Sequence, residues 1–119
     1  MCLKRSDLGE EKRILKKRID VAAGRIPADV VIRNAKIVDV FSGRILEDDI
    51  AVSDGMIAGI GSYTGHKIYD ADGRYAIPGL IDAHMHIEST NVTPEELGRM
   101  IVPLGTTTII ADPHEIVNV

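Results

Sequence analysis

The tightest restriction on the fold of this chain comes from residues 80–111, which read as strand, helix, strand. Leu80-Ile81-Asp82-Ala83-His84 is apolar enough for a buried strand. Thr93-Pro94-Glu95-Glu96 then opens a helix. Thr93 stands at the N-cap, Pro94 at the first helical position, and Glu96 three residues past the cap completes a capping box. Leu97, Met100, Ile101 and Leu104 supply an apolar stripe, and Pro103 and Gly105 close the helix. Thr106–Ala111 is β-branched and apolar, a second buried strand. Strand, helix and strand over about thirty residues imply parallel strands joined by a right-handed crossover. Parallel sheets need cover on both faces, and two strands with one helix cannot supply it. The sequence ends at Val119, directly after the second strand's loop. It therefore reads as the front of a longer polypeptide in preference to a piece completed by a partner.

Upstream the pattern differs. Residues 7–24 read as an amphipathic helix, with Leu8, Ile14, Leu15, Ile19, Ala22 and Ala23 near one stripe. Gly24 stops it and Pro27 prevents resumption. From Ala28 the chain turns to short apolar runs: Val30–Ile32, Ile37–Val40, Ile45-Leu46, Ile50–Val52, Met56–Ile60, Ile68-Tyr69 and Tyr75–Ile77. Asn34-Ala35 and Ser42-Gly43 mark turns. Asp54-Gly55 and Asp72-Gly73 carry the hairpin signal, because such a turn needs φ > 0 at both central residues. Gly59 and Gly61 around Ile60 fit a bulge or close backbone approach as well as a loop start. The expected fold is α/β: an N-terminal helical segment (1–27), a partial antiparallel β-sandwich (28–77), and the start of an α/β unit (78–119).

Charge and composition exclude some functions. The chain carries 14 Lys and Arg against 18 Asp and Glu, a net charge of −4, and only 3% aromatic residues with no Trp. That is a poor basis for tracking nucleic-acid phosphates or stacking bases. Seven of the basic residues fall within residues 1–20. Glu10, Glu11 and Asp20 interrupt them, so this reads as a solvated helix face and not a membrane-binding one. No apolar run approaches a membrane span. No signal-peptide core follows Lys4 and Arg5, and the one cysteine, Cys2, cannot pair internally. A cytoplasmic protein is the expectation.

Three of the four histidines lie in two short clusters. Asp82, His84 and His86 alternate along one strand and so share a face. Two imidazoles at i and i+2 can reach one ion, and neutral imidazole suits Zn, Fe, Mn or Ni. Asp112-Pro113-His114-Glu115 follows the second strand, with Pro113 fixing the turn. Both strands are parallel, so both clusters emerge at the carboxyl edge, where α/β barrels keep their active sites. Three imidazoles with Asp82, Glu88, Asp112 and Glu115 at one edge indicate a metal centre. His84 and His86 are the expected ligands. Asp112, His114, Glu115 and Glu88 are candidates for metal or substrate contact, and Asp82 for an anchor that orients an imidazole. His66 reads as an exposed loop residue, and Tyr69 and Tyr75 as sheet packing.

Pro78-Gly79-Leu80-Ile81-Asp82-Ala83-His84-Met85-His86 resembles the first barrel strand of the amidohydrolase superfamily, and Gly105-Thr106-Thr107-Thr108 the entry to its second. Together with His84–Ser89, the segment Ala111-Asp112-Pro113-His114-Glu115-Ile116 is similar to the prokaryotic adenine deaminases, as is the stretch from Ile14 to Gly43. The resemblance implies a composite β-sandwich around residues 28–77 and a (β/α)₈ barrel beginning at 78. Such a barrel takes roughly 250 residues, so the chain would hold only its start. It further implies hydrolysis of adenine to hypoxanthine and ammonia for purine salvage, by a homo-oligomer when full length. The metal would be manganese or iron, with zinc as a further option, and the centre binuclear. A divalent cation would make hydroxide available near neutral pH, and a carboxylate would relay the proton. The main catalytic acid/base is expected beyond Val119, so the chain alone would be inactive. The alternatives are another cyclic-amide hydrolase of the dihydroorotase or hydantoinase type, a sugar-amide deacetylase, or a non-catalytic metal-binding piece.

Overall fold

The computed structural model describes residues 5–112. It is a mixed α/β structure with two helices and two sheets, and it divides into two units between Ile77 and Pro78. The sheets have five and two strands, with no closed barrel among the described residues.

In the first unit, α1 (Arg5–Ala22) is followed by β1 (Ala28–Asp39), β2 (Arg44–Ser53), β3 (Met56–Ile60), β4 (Gly65–Asp70) and β5 (Tyr75–Ala76). The strands run in the order β3-β2-β1-β4, and β5 also pairs with β1. The turn at Asp54-Gly55 is the expected two-residue hairpin: φ is 49° and 72°, and Ser53 faces Met56. Positive φ at both positions matches the twist of the flanking strands.

The sheet is mixed, which corrects the antiparallel expectation. β4 and β5 both lie parallel to β1, with Gly65 opposite Ala28 and Tyr75 opposite Lys36. β3 already occupies the outer edge of β2, so the returning chain takes the free edge of β1. Asp72-Gly73 has the expected positive φ, yet it makes no hairpin. It is a kink between two segments that follow the same neighbour. Asn34, expected to mark a turn, is instead a left-handed residue inside the continuous β1, where the pairing register shifts. The two irregularities meet. Gly73 N–H donates to the Asn34 carbonyl at 2.9 Å, and Asn34 Nδ2 donates to Asp70 Oδ1 at 3.0 Å. Backbone groups left unpaired by one bulge are thus satisfied by the other.

Helix α1 buries a different face from the one expected. Val21 is fully buried with Ala28, Val31 and Ala51, and Ile14, Lys17 and Arg18 are half-buried. Leu8, Leu15 and Ile19 stay exposed. Lys17 reaches across to Asp29 Oδ2 at 2.9 Å and Asp54 Oδ1 at 3.0 Å. That ion cluster, together with Val21, sets the rotation of the helix. Gly59 proves to be a close approach: a Cβ there would lie 2.1 Å from the Tyr63 hydroxyl, which donates to the Ala22 carbonyl. His66 lies on β4, not in a loop, and is exposed, as are Tyr69 and Tyr75.

The second unit is the strand–helix–strand read from the sequence. β6 (Leu80–Met85) and β7 (Thr106–Ala111) are parallel, and α2 (Pro94–Ile101) crosses between them. Thr93 caps α2, its Oγ1 accepting from Glu96 N–H at 3.4 Å. The reciprocal half of the capping box is replaced, because the Glu96 carboxylate pairs with Arg99. Leu97 is the buried residue of α2.

Candidate metal centre

β6 and β7 end together. Met85 pairs with Ala111, so His86 and Asp112 are the next residues out at the same carboxyl edge. The expectation that His86 lies on the strand is corrected, since β6 stops at Met85, but the His84 and His86 rings still lie close, with centroids 5.0 Å apart in an edge-on arrangement. His84 is exposed and His86 half-buried. Asp82 accepts a hydrogen bond at 3.0 Å from the backbone N–H of His84. The Asp82 carboxylate thereby holds the end of the strand that presents the first ring.

Beyond His86 the chain folds back in a 3₁₀ turn, Glu88–Thr90. Thr90 donates from both its N–H and its Oγ1 to the Ile87 carbonyl, at 2.9 and 2.5 Å. Asn91 takes the left-handed conformation that ends the turn, φ 58°. This returns the Glu88 carboxylate to the ring just passed: His86 Nδ1 and Glu88 Oε1 are 3.1 Å apart. The Glu88 side chain is only 11% exposed and that of His86 37%. Thr90 was not singled out in the sequence. The signal for it was Thr90-Asn91, four residues after His86, since Asn tolerates the left-handed turn position.

Asp112 is exposed at the end of β7. His114 and Glu115, the other two candidates of the second cluster, lie outside the described residues. Among the described residues no group of three or more His, Cys, Asp or Glu is gathered closely enough to hold a metal ion. The donor chemistry nonetheless suits one. Two imidazoles side by side with a carboxylate on the ring nitrogen of one are the ligand types that borderline divalent ions take, and that pairing is how metal-ligating histidines are usually held. No described helix is long and apolar enough to cross a membrane.

A family model for the amidohydrolase family matches residues 75–119, which take in both histidine clusters. That stretch is therefore similar to the amidohydrolase family. Over nine-tenths of its length the chain is homologous to the N-terminal region of adenine deaminases. It is 62% identical over 108 residues to adenine deaminase 2 of Desulfotalea psychrophila, covering 91% of this chain and 19% of that protein. It is 63% identical over 110 residues to the adenine deaminase of Ligilactobacillus salivarius, covering 92% and 19%. The chain thus spans about a fifth of the length of these relatives. Among solved structures it is similar to the zinc- and phosphonate-bound N-acyl-D-glutamate deacylase of Bordetella bronchiseptica, with TM-score 0.61 and 30% identity, covering 72% of this chain and 19% of that one. The L-hydantoinase of Arthrobacter aurescens is a second likeness, with TM-score 0.58 and 30% identity, covering 72% and 21%.

Proposed function

We propose that the whole protein to which this chain belongs is a cytoplasmic, metal-dependent adenine deaminase, hydrolysing adenine to hypoxanthine and ammonia in purine salvage. The observation that carries this reading is identity above 60% to adenine deaminases over nine-tenths of the chain. The likeness to the deacylase and the hydantoinase is half as strong in identity, which ranks N-acyl and cyclic-amide hydrolysis second. In this reading β6, α2 and β7 open a (β/α)₈ barrel, and the first unit contributes to a composite sandwich.

His84 and His86 would hold a divalent ion, manganese or iron before zinc, with a second ion beside it. When bound, such an ion supplies Lewis acidity and a nucleophile at neutral pH. The chain's own residues prepare the rim. Asp82 fixes the strand end by accepting the His84 N–H, and the Glu88–Thr90 turn closes over the second ring. Asp112, His114 and Glu115 would meet metal or purine from the neighbouring strand. The acid/base that moves protons between water and the leaving nitrogen would come from strands outside this chain, as would the contacts of a homo-oligomer.

The test is a side-by-side assay of the full-length protein, reconstituted with Mn(II) or Fe(II), on adenine, hydantoins, N-acyl-D-amino acids and N-acetyl sugars. Ammonia release from adenine, abolished by chelation and by His84→Ala or His86→Ala, is the expected result. Turnover of an amide substrate in preference to adenine would overturn the assignment.

A further inference from the structure

We infer that Glu88 is the positioning residue of the metal-facing histidine pair: it holds His86 with the proton on Nδ1 and the lone pair on Nε2. The inference rests on the metal reading above and assigns Glu88 a place behind the ligand ring and not in the coordination sphere. Three observations carry it. The Glu88 Oε1 to His86 Nδ1 separation of 3.1 Å is a hydrogen bond. An ionised carboxylate only accepts, so Nδ1 must be the donor, and a neutral ring is then left with its acceptor at Nε2. The Glu88 side chain is 11% exposed, so the carboxylate end of the bond is sheltered from competing water. Glu88 is also not free to swing. Its backbone lies in the 3₁₀ turn that Thr90 closes on the Ile87 carbonyl and that Asn91 terminates.

The neighbouring carboxylate shows the contrast. Asp82 spends a carboxylate oxygen on the His84 backbone N–H, which orients the strand and leaves tautomer choice at His84 to other groups. Glu88 bonds a ring nitrogen. A carboxylate behind a ligand imidazole raises its basicity and fixes its plane, so the second ring is the better prepared of the two.

The experiment uses the full-length protein with ¹⁵N-labelled histidine, stripped of metal, and Mn(II) alone as the probe. Nitrogen chemical shifts report the His86 tautomer, and competition with a chelator reports Mn(II) affinity. Glu88→Ala is expected to lose about 10–100-fold in Mn(II) affinity and to release His86 from the Nδ1–H tautomer. Glu88→Gln keeps an oxygen that accepts from Nδ1–H, so it is expected to retain the tautomer and bind far closer to the parent protein. Unchanged tautomer and affinity in Glu88→Ala overturn the inference. Equal loss of affinity in both variants with the tautomer intact overturns it as well, because the charge would then be acting directly on the metal. His86→Ala separates this from the underlying reading: if removing the ring leaves Mn(II) affinity unaltered, it is the metal assignment that fails.

Discussion

Gly79 sits where no side chain fits. A Cβ there would lie 1.9 Å from Thr107 Oγ1 and 2.7 Å from Thr107 Cγ2, so the backbone entering β6 lies directly on a β7 side chain. Gly79→Ala is expected to destabilise the full-length protein by about 1–3 kcal/mol, the usual cost of forcing an extra carbon into a packed contact. Thr107→Ala should recover most of it. Urea denaturation of the two single variants and the double variant checks this, and strictly additive costs would refute the contact as the cause. At this scale the sequence was informative where a rule is local. His84 and His86, two apart in the sequence, predicted neighbouring rings, and the rings are neighbours although β6 stops at Met85. The bond from Glu88 to His86 was not legible, because it depends on the chain reversing through Thr90 and Asn91, and no periodicity announces where a carboxylate lands after a turn.

Among the elements, α1 is fastened by charge as well as by Val21. Asp29 accepts from the Asp54 backbone N–H at 2.8 Å and from Lys17 Nζ at 2.9 Å. The Asp54 N–H, followed by the Lys17 ammonium, holds the Asp29 carboxyl below its ordinary range, and Asp29 with Asp54 raises Lys17. A depressed carboxyl contributes stability that is complete above the unfolded pKa of about 3.9 and is lost as pH falls through the lower folded value. A raised ammonium contributes below about 10.4 and loses it as pH climbs through the higher folded value. Both contributions are therefore present across the neutral range. Asp29→Ala is expected to lower the melting temperature at pH 7 and to converge on the parent protein in strong acid. Asp39 and Asp70 are shifted in the same direction, so the reading is the difference between the two proteins, followed by circular dichroism from neutral pH to pH 2. A difference that persists unchanged into strong acid would rule the cluster out as its source. The α2 cap and the Asp54-Gly55 hairpin were readable because a few adjacent residues decide them. The parallel placing of β4 and β5 was not, since it is settled by which edge of β1 remains free. The rotation of α1 was misread because Lys17 and Arg18 are half-buried, with Lys17 held by Asp29 and Asp54, whereas a hydrophobic-stripe count assigns both to solvent.

For the molecule as a whole, the two units differ in how completely they bury themselves. The first has a core of Val21, Ala28, Val31 and Ala51 and a second cluster of Ala35, Ile37 and Ile50. In the second unit Leu97 is buried, while Leu80, Ile81, Met100, Val102, Leu104 and Ile110 are all more than half exposed. A parallel pair with such faces, and with only two strands among the described residues, invites association. The isolated 119-residue chain is expected to self-associate on size-exclusion chromatography with light scattering, and to release no ammonia from adenine. A monodisperse, active monomer would contradict both expectations. β1 has a further consequence. β2, β4 and β5 pair with it directly and β3 reaches it through β2, so among the described residues the strand partners of this one spine are encoded within residues 28–76. On the ribosome, the pairing of this sheet can form before the segment bearing His84 has been translated.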